Sequence, residues 1–211
     1  MVERISFLMN QKERMLSGLP YKAWLDGLTQ ERLENKKRLY DFNTLRPEEE
    51  SKLKEVLKSI LGKSDENTHI EPPFHCDYGK NIEVGKYFFA NYNCTILDVG
   101  KVIIGDNVMF APNVSIYTAG HPLHPDSRNS GYEYGISIKI GNNVWIGGNV
   151  IINPGITIGD NVVIGAGSVV TKDIPNNAIA VGNPCKVIRE ITEGDRKYYF
   201  KDREFDVQDY I

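Results

Sequence analysis

The sequence predicts a mainly β chain, a parallel β-helix shaped as a triangular prism, with a small α-helical cap at its N terminus. Three observations predict it: apolar residues recur every six positions through the second half of the chain, glycine follows most members of one apolar set, and the helical period is confined to residues 1–62.

The cap comes first in the chain. In "RPEEESKLKEVLKSILG", Leu53, Val56, Leu57, Ile60 and Leu61 fall at i, i+3, i+4, i+7 and i+8; Pro47 and three glutamates open the segment and Gly62 closes it. That spacing puts the apolar groups on one face of a helix. Two weaker helical stretches precede it, over 4–16 and 29–40, divided by the breaker "SGLP" and the turn-like "LDG".

From Ile138 the period is six. Ile138, Val144, Val150, Ile156 and Val162 form one set, and Ile140, Ile146, Ile152, Ile158, Ile164 and Val170 a second. Gly141, Gly147, Gly159 and Gly165 follow the second set directly, with Asn153 as the exception, and each suits a corner that needs a backbone conformation other residues resist. The pattern recurs upstream as Val102, Val108, Val114 with Ile104, Phe110, Ile116, and more loosely from Ile82, slipping out of phase before Val102; the repeat spans roughly 82–187. No such unit buries its apolar side chain alone, whereas stacked coils of about three hexapeptides align these positions in one interior column.

Val114 and Ile138 are separated by four whole hexapeptides, so the rhythm resumes in phase after an insertion at about 118–135. Its text, "TAGHPLHPDSRNSGYEYG", is polar and turn-forming and holds two of the four histidines. A loop carried by a rigid scaffold is where binding and catalytic groups sit. From the residues alone, His121 and His124 are either solvated loop residues or groups a substrate can reach.

Composition narrows the classes. A formal net charge of −3 with both signs interspersed leaves no basic footprint for nucleic acid. No apolar run approaches the ~18 uncharged residues of a membrane span, and no signal peptide is evident, so a cytoplasmic protein is expected. Cys76, Cys94 and Cys185 are odd in number and lack a CxxC pair, which argues against a disulfide framework and a zinc site; buried, reduced thiols are expected.

The segments "FHCDYGKNIEVG", "FFANYNCTILD", "YTAGHPLHP", "IGNNVWIGGNVIINPGITIGDNVVIGAGSVVTKDIP" and "GNPCKVIREI" together resemble the maltose and galactoside O-acetyltransferases, as does the helical cap. The resemblance covers nearly the whole chain. It implies a left-handed β-helix over 63–190 behind a cap at 1–62, a tail at 191–211, and a homotrimer with its active sites between subunits. It also implies acetyl-CoA as co-substrate, a sugar acceptor and no catalytic metal.

Site residues follow from the same resemblance. His121, in the "HP" loop, corresponds to the general base; imidazole chemistry suits removal of a hydroxyl proton near neutral pH. His124 is expected to be structural. Glu133 is the local candidate to orient His121 or to contact a sugar hydroxyl, with a solvated carboxylate as the alternative. Asn91 corresponds to an asparagine that binds the acceptor or steadies the transition state, the alternative being a left-handed corner residue; Asp77 and Phe89 fall at acceptor-contacting positions, with a structural turn role as the alternative for Asp77. Trp145 would lie along the pantetheine arm, a backbone N–H near Gly148 would suit the oxyanion, and Ala166 would line the cofactor groove. Thr171 and Lys172 would serve the nucleotide end, and Lys186 and Arg189 its phosphates; Lys186 replaces an arginine of the galactoside enzymes, and an ordinary surface lysine is the alternative there. Phe89, Val99 and Glu133 stand where those enzymes have tyrosine, aspartate and methionine, and Arg14 where an aspartate is expected. Competing readings are a non-sugar acceptor on the same prism, a zinc enzyme like carbonic anhydrase, and a non-catalytic scaffold.

Overall fold

Hexapeptides become short strands that stack coil upon coil in the computed structural model of the chain, which describes residues 9–207 and residue 209. Three parallel sheets form the prism. The first face pairs Ile82–Val84, Val102–Ile104, Ile138–Ile140 and Thr157–Ile158. The second pairs His69–Ile70, Phe89–Ala90, Met109–Phe110, Trp145–Ile146, Val163–Ile164 and Ala178–Val181, and Lys186–Glu190 closes it in the antiparallel sense. The third pairs Phe74–Cys76, Cys94–Leu97, Ser115–Tyr117, Ile151–Ile152 and Val169–Val170.

Register confirms three hexapeptides per coil, because Lys139 faces Thr157, Trp145 faces Val163 and Ile151 faces Val169, each three repeats further along the chain. The coils begin earlier than the repeat suggests: His69 faces Phe89 and Phe74 faces Cys94, each a slightly longer step than three hexapeptides. Extra residues at 77–81 and 98–101 interrupt the six-residue beat there, which is why the first coils are hard to see in the sequence. Across the insertion, Val102 faces Ile138, Met109 faces Trp145 and Ser115 faces Ile151, each a step of twice the regular coil. All three enlargements lie at one corner, between the third face and the first.

Both hexapeptide sets point inward. Ile138, Ile140, Val144, Ile146, Val150, Ile152, Ile158, Val162, Ile164 and Val170 are buried in one continuous core. Each such side chain contributes about 1.5–3 kcal/mol by leaving water. The glycines, however, have a different role from the expected one. Gly141, Gly147, Gly159 and Gly165 are not among the glycines with positive φ. They are small because the next coil passes directly over them: a Cβ at Gly141 would sit 2.8 Å from the Gly159 carbonyl oxygen. Left-handed corners fall instead to asparagine, at Asn107, Asn143, Asn161 and Asn177 (φ 56–57°) on one edge and at Asn93, Asn113 and Asn149 (φ 58–63°) on another. On the first of these edges the amides form a ladder, Asn107 to Asn143 to Asn161 to Asn177, at 3.2, 3.0 and 2.8 Å.

Residues 1–8 lie outside the described residues, so the helical stretch expected over 4–16 is described only from residue 9; within it α1 spans Gln11–Leu16, closed at its start by an Asn10–Glu13 capping box. Helix α2, Leu28–Thr44, runs beyond the expected 29–40, and α3 is Glu50–Ile60. Leu57 and Ile60 bury against the prism core with Leu39 and Phe42 of α2. Asn43 fastens α2 to the first coil by exchanging hydrogen bonds with Phe74 N–H and C=O at 2.8 and 2.9 Å. All three cysteines are free and buried. No helix among the described residues is long and apolar enough to cross a membrane.

Candidate active site

Three enlarged turns stacked on one corner create a polar cluster the regular coils cannot offer. In the lowest, Asp77 and Tyr78 donate their backbone N–H groups to Asp98 Oδ1, both at 2.9 Å, and Asn81 donates to the Asp98 carbonyl at 2.7 Å. Asp98 is fully buried, and its Oδ2 has no partner among the described residues. Burial pushes its carboxyl up to about 6, and the nearby Asp77 charge adds to the rise while the backbone donors oppose it.

The insertion rises from the same corner as a hairpin. Ala119–Gly120 pairs antiparallel with Tyr134–Gly135, and the Tyr134 ring crosses where a Gly120 Cβ would stand. A single-turn helix, α4 (Pro125–Asn129), forms the tip, where the Asp126 N–H donates to His124 Nδ1 at 3.3 Å. His121 follows the first hairpin strand with its side chain 58% exposed, and its Nε2 lies 3.9 Å from Glu133 Oε2.

Glu133 in turn is held by the cap. The buried Tyr21 hydroxyl donates to Glu133 Oε1 at 2.5 Å, and the two backbones exchange hydrogen bonds, Tyr21 N–H to Glu133 C=O at 2.9 Å and the reverse at 3.1 Å. Burial, then the Glu133 hydrogen bond, pushes the Tyr21 phenol far above its ordinary value, so it remains a donor. Arg32 of α2 donates to the Tyr78 hydroxyl at 2.6 Å and to the Ala23 carbonyl at 2.8 Å. Burial raises the Asp77 carboxyl, an effect that Arg32 opposes and Glu133 reinforces. Asp77 also borders a hollow of about 340 Å³ flanked by Lys36, Tyr40, His75 and Leu97. A larger groove of about 520 Å³, between α3 and the first coil, includes no residue of the histidine loop.

Of the residues singled out in the sequence, the fold gathers Asp77, Glu133 and His121 at this corner. Val99 packs beneath them with Tyr21 and Tyr78, and the Arg14 Nε donates to the Pro20 carbonyl, bracing the Tyr21 segment. Phe89 and Trp145 lie on the second face, each in register with Met109. Asn91 follows Phe89 at the corner of the second face with the third, one prism side away from His121. It is not left-handed; Asn93 takes that conformation. Gly148 and Ala166 share Asn91's corner higher up the prism, and Thr171 and Lys172 lie exposed on the edge above His121. Lys186 and Arg189 are on the final antiparallel strand, where Arg189 is engaged bidentately by Asp195 at 2.8 and 2.7 Å. Among the described residues no cluster of three or more His, Cys, Asp or Glu could hold a metal ion. The zinc reading needs three converging histidines, whereas His69 and His75 lie on the second and third faces and His121 and His124 in the loop.

Sequence reasoning missed Tyr21, Arg32, Tyr78 and Asp98. For Asp98 a signal existed: with a slightly longer coil allowed, it falls directly above the Asp77 turn. Tyr21 and Arg32 reach the site only through the cap's packing.

A prism of hexapeptide coils, with a histidine loop on one corner and a helical cap bound to that loop, defines the class of hexapeptide transferases. Residues 137–172 match the bacterial transferase hexapeptide model, and residues 14–65 match the maltose acetyltransferase hexapeptide capping motif. Escherichia coli galactoside O-acetyltransferase is 50% identical over 92% of this chain and 96% of its own length. A crystal structure of a maltose O-acetyltransferase from Clostridium difficile is 58% identical with TM-score 0.87, over 88% of this chain and 99% of that one. The structure of a galactoside acetyltransferase in complex with coenzyme A gives TM-score 0.92 at 49% identity, over 94% and 100% of the two chains. The chain therefore belongs to the maltose and galactoside O-acetyltransferase family of hexapeptide-repeat acetyltransferases.

Proposed function

We propose that the protein transfers acetyl from acetyl-CoA to a hydroxyl of a neutral sugar, with His121 as the base. The observation that carries this reading is the exposed His121 imidazole facing the Glu133 carboxylate at 3.9 Å, on a loop of a chain whose relatives are named galactoside and maltose O-acetyltransferases. A hydroxyl is a poor nucleophile until its proton is taken. The acceptor oxygen bonds to the thioester carbonyl carbon while its proton passes to His121; the carbon–sulfur bond then breaks and the proton leaves with the thiol. The imidazolium formed on the way stands beside the Glu133 anion, which stabilises it most when the positive charge is largest. Asp77 and Glu133 supply acceptors for sugar hydroxyls. Trp145, Gly148, Ala166, Thr171, Lys172, Lys186 and Arg189 serve the coenzyme.

The working unit is a homotrimer. Asn91, Phe89 and Trp145 lie one prism side away from His121 in the same chain, so a site using all four needs the second face of one copy against the histidine edge of the next. The second face suits that contact, since Met109 and Trp145 project from it about half exposed.

The test is acetyl-CoA-dependent thiol release by wild type and His121→Ala over a panel of glucose, maltose, galactosides, N-acetylglucosamine and non-sugar alcohols. Turnover of a sugar that falls by roughly 100-fold or more in the variant is expected. An unchanged variant rejects the mechanism; release with only non-sugar alcohols rejects the acceptor class.

A further inference from the structure

We infer that the N-terminal cap takes part in the reaction, with Tyr21 as a positioning residue that fixes the Glu133 carboxylate beside His121. The inference rests on the proposed role of His121 and goes further, because it assigns chemical work to a region outside the prism.

Three consecutive contacts join the cap to the histidine hairpin. Tyr21 pairs with Glu133 through both backbone groups and through its hydroxyl. The Lys22 ammonium lies over the Tyr132 ring at 5.0 Å and the Trp24 ring at 5.8 Å. Trp24 itself covers Gly131, where an added Cβ would collide with the indole. Behind this strap, Tyr21 is buried with Met15, Leu28, Tyr78 and Val99, so its hydroxyl has one aim. The Glu133 carboxylate divides its two oxygens: Oε1 accepts from Tyr21 at 2.5 Å, and Oε2 faces His121 at 3.9 Å. Without the phenol, Glu133 is free to swing into solvent on a loop, and the imidazolium loses a fixed counter-charge. The backbone bridge alone holds the loop but leaves the carboxylate unaimed. Placement of a charge before the transition state, rather than its mere presence, is what lowers a barrier.

Tyr21→Phe removes one hydroxyl and keeps the ring, the packing and the backbone pairing. With the best sugar of the panel, kcat is expected to fall about tenfold, the scale of one charge-assisted hydrogen bond. KM for acetyl-CoA should stay within about twofold and the melting temperature should not change. Glu133→Gln should lower kcat by a similar factor, and Tyr21→Phe introduced on top of it should cost little more, since the hydroxyl acts only through the carboxylate. Wild-type kcat in Tyr21→Phe overturns the inference, as does a full additional loss in the double variant or a loss confined to acceptor KM. Wild-type turnover in His121→Ala would instead sink the functional reading beneath it. If no sugar turns over, the same comparisons are made on the slow hydrolysis of acetyl-CoA, with water as acceptor and the same outcomes deciding.

Discussion

The buried Asp98 carboxyl makes the stability of the fold depend on pH in a direction opposite to that of most paired carboxylates. Burial raises it from an ordinary 3.8 to about 6, so the folded chain holds this proton more tightly than the unfolded chain. Between those values folding takes up a proton. The associated stability is fully present below about 4 and is lost as pH rises through about 6. At 1.36 kcal/mol per pKa unit the loss is ~3 kcal/mol per chain, an upper figure. Asp98→Asn removes the titration but keeps an oxygen to accept from the Asp77 and Tyr78 N–H groups, and it places an amide where Oδ2 has no partner among the described residues. Thermal melts of wild type and variant at equal concentration, at pH 4.5 and pH 7.5, isolate the effect, because other groups titrate alike in both. For a chain of this length ~1 kcal/mol moves the midpoint by about 2–4 °C. The variant-minus-wild-type difference should therefore be more positive at pH 7.5 by several degrees. A difference that is constant with pH, or that moves the other way, refutes the account of Asp98.

Two further substitutions test the prism itself. Gly141→Ala forces a Cβ to 2.8 Å from the Gly159 carbonyl oxygen and should cost about 3 kcal/mol by overpacking, whereas Gly167→Ala, with φ +72° and open space around it, should cost only about 1 kcal/mol; chemical denaturation ranks the two, and a reversed order rejects the close-approach explanation. Trp145→Ala removes a half-exposed indole from the second face and should raise KM for acetyl-CoA by roughly tenfold or more, or dissociate the proposed trimer, as read by steady-state kinetics and light scattering; an unchanged assembly and KM would remove that face from the proposed site.

Periodicity made the prism legible before any coordinates. Valine and isoleucine at multiples of six, and the in-phase return at Ile138 after the insertion, define coils, faces and the projecting loop. What escaped was set by contacts between coils rather than within them. Gly141 reads as a conformational residue in one dimension and proves to be a steric one, because its constraint comes from Gly159, on the next coil. The first coils were obscured by the extra residues at 77–81 and 98–101, which break the beat while leaving the strands in register. At the site, His121, Glu133 and Asp77 could be named because they sit in or under the loop. Tyr21 could not, since nothing local in "GLPYKAW" announces a partner on the far side of the histidine loop.

The doubled step across the histidine loop also bears on how the chain folds. Every other neighbouring pair of coils closes a loop of about three hexapeptides, a contact order as uniform as that of any repeat array. One seam, between Met109 and Trp145, is twice as long. Doubling a loop costs only about 0.6 kcal/mol in closure entropy, so the excursion barely taxes the folded state. It does mark where zippering from either end must pause, so amide exchange should divide the prism there into an upper and a lower foldon. The residues proposed to do the chemistry then sit at the joint between two cooperative units, where the cap's grip on the loop is also a grip on their docking.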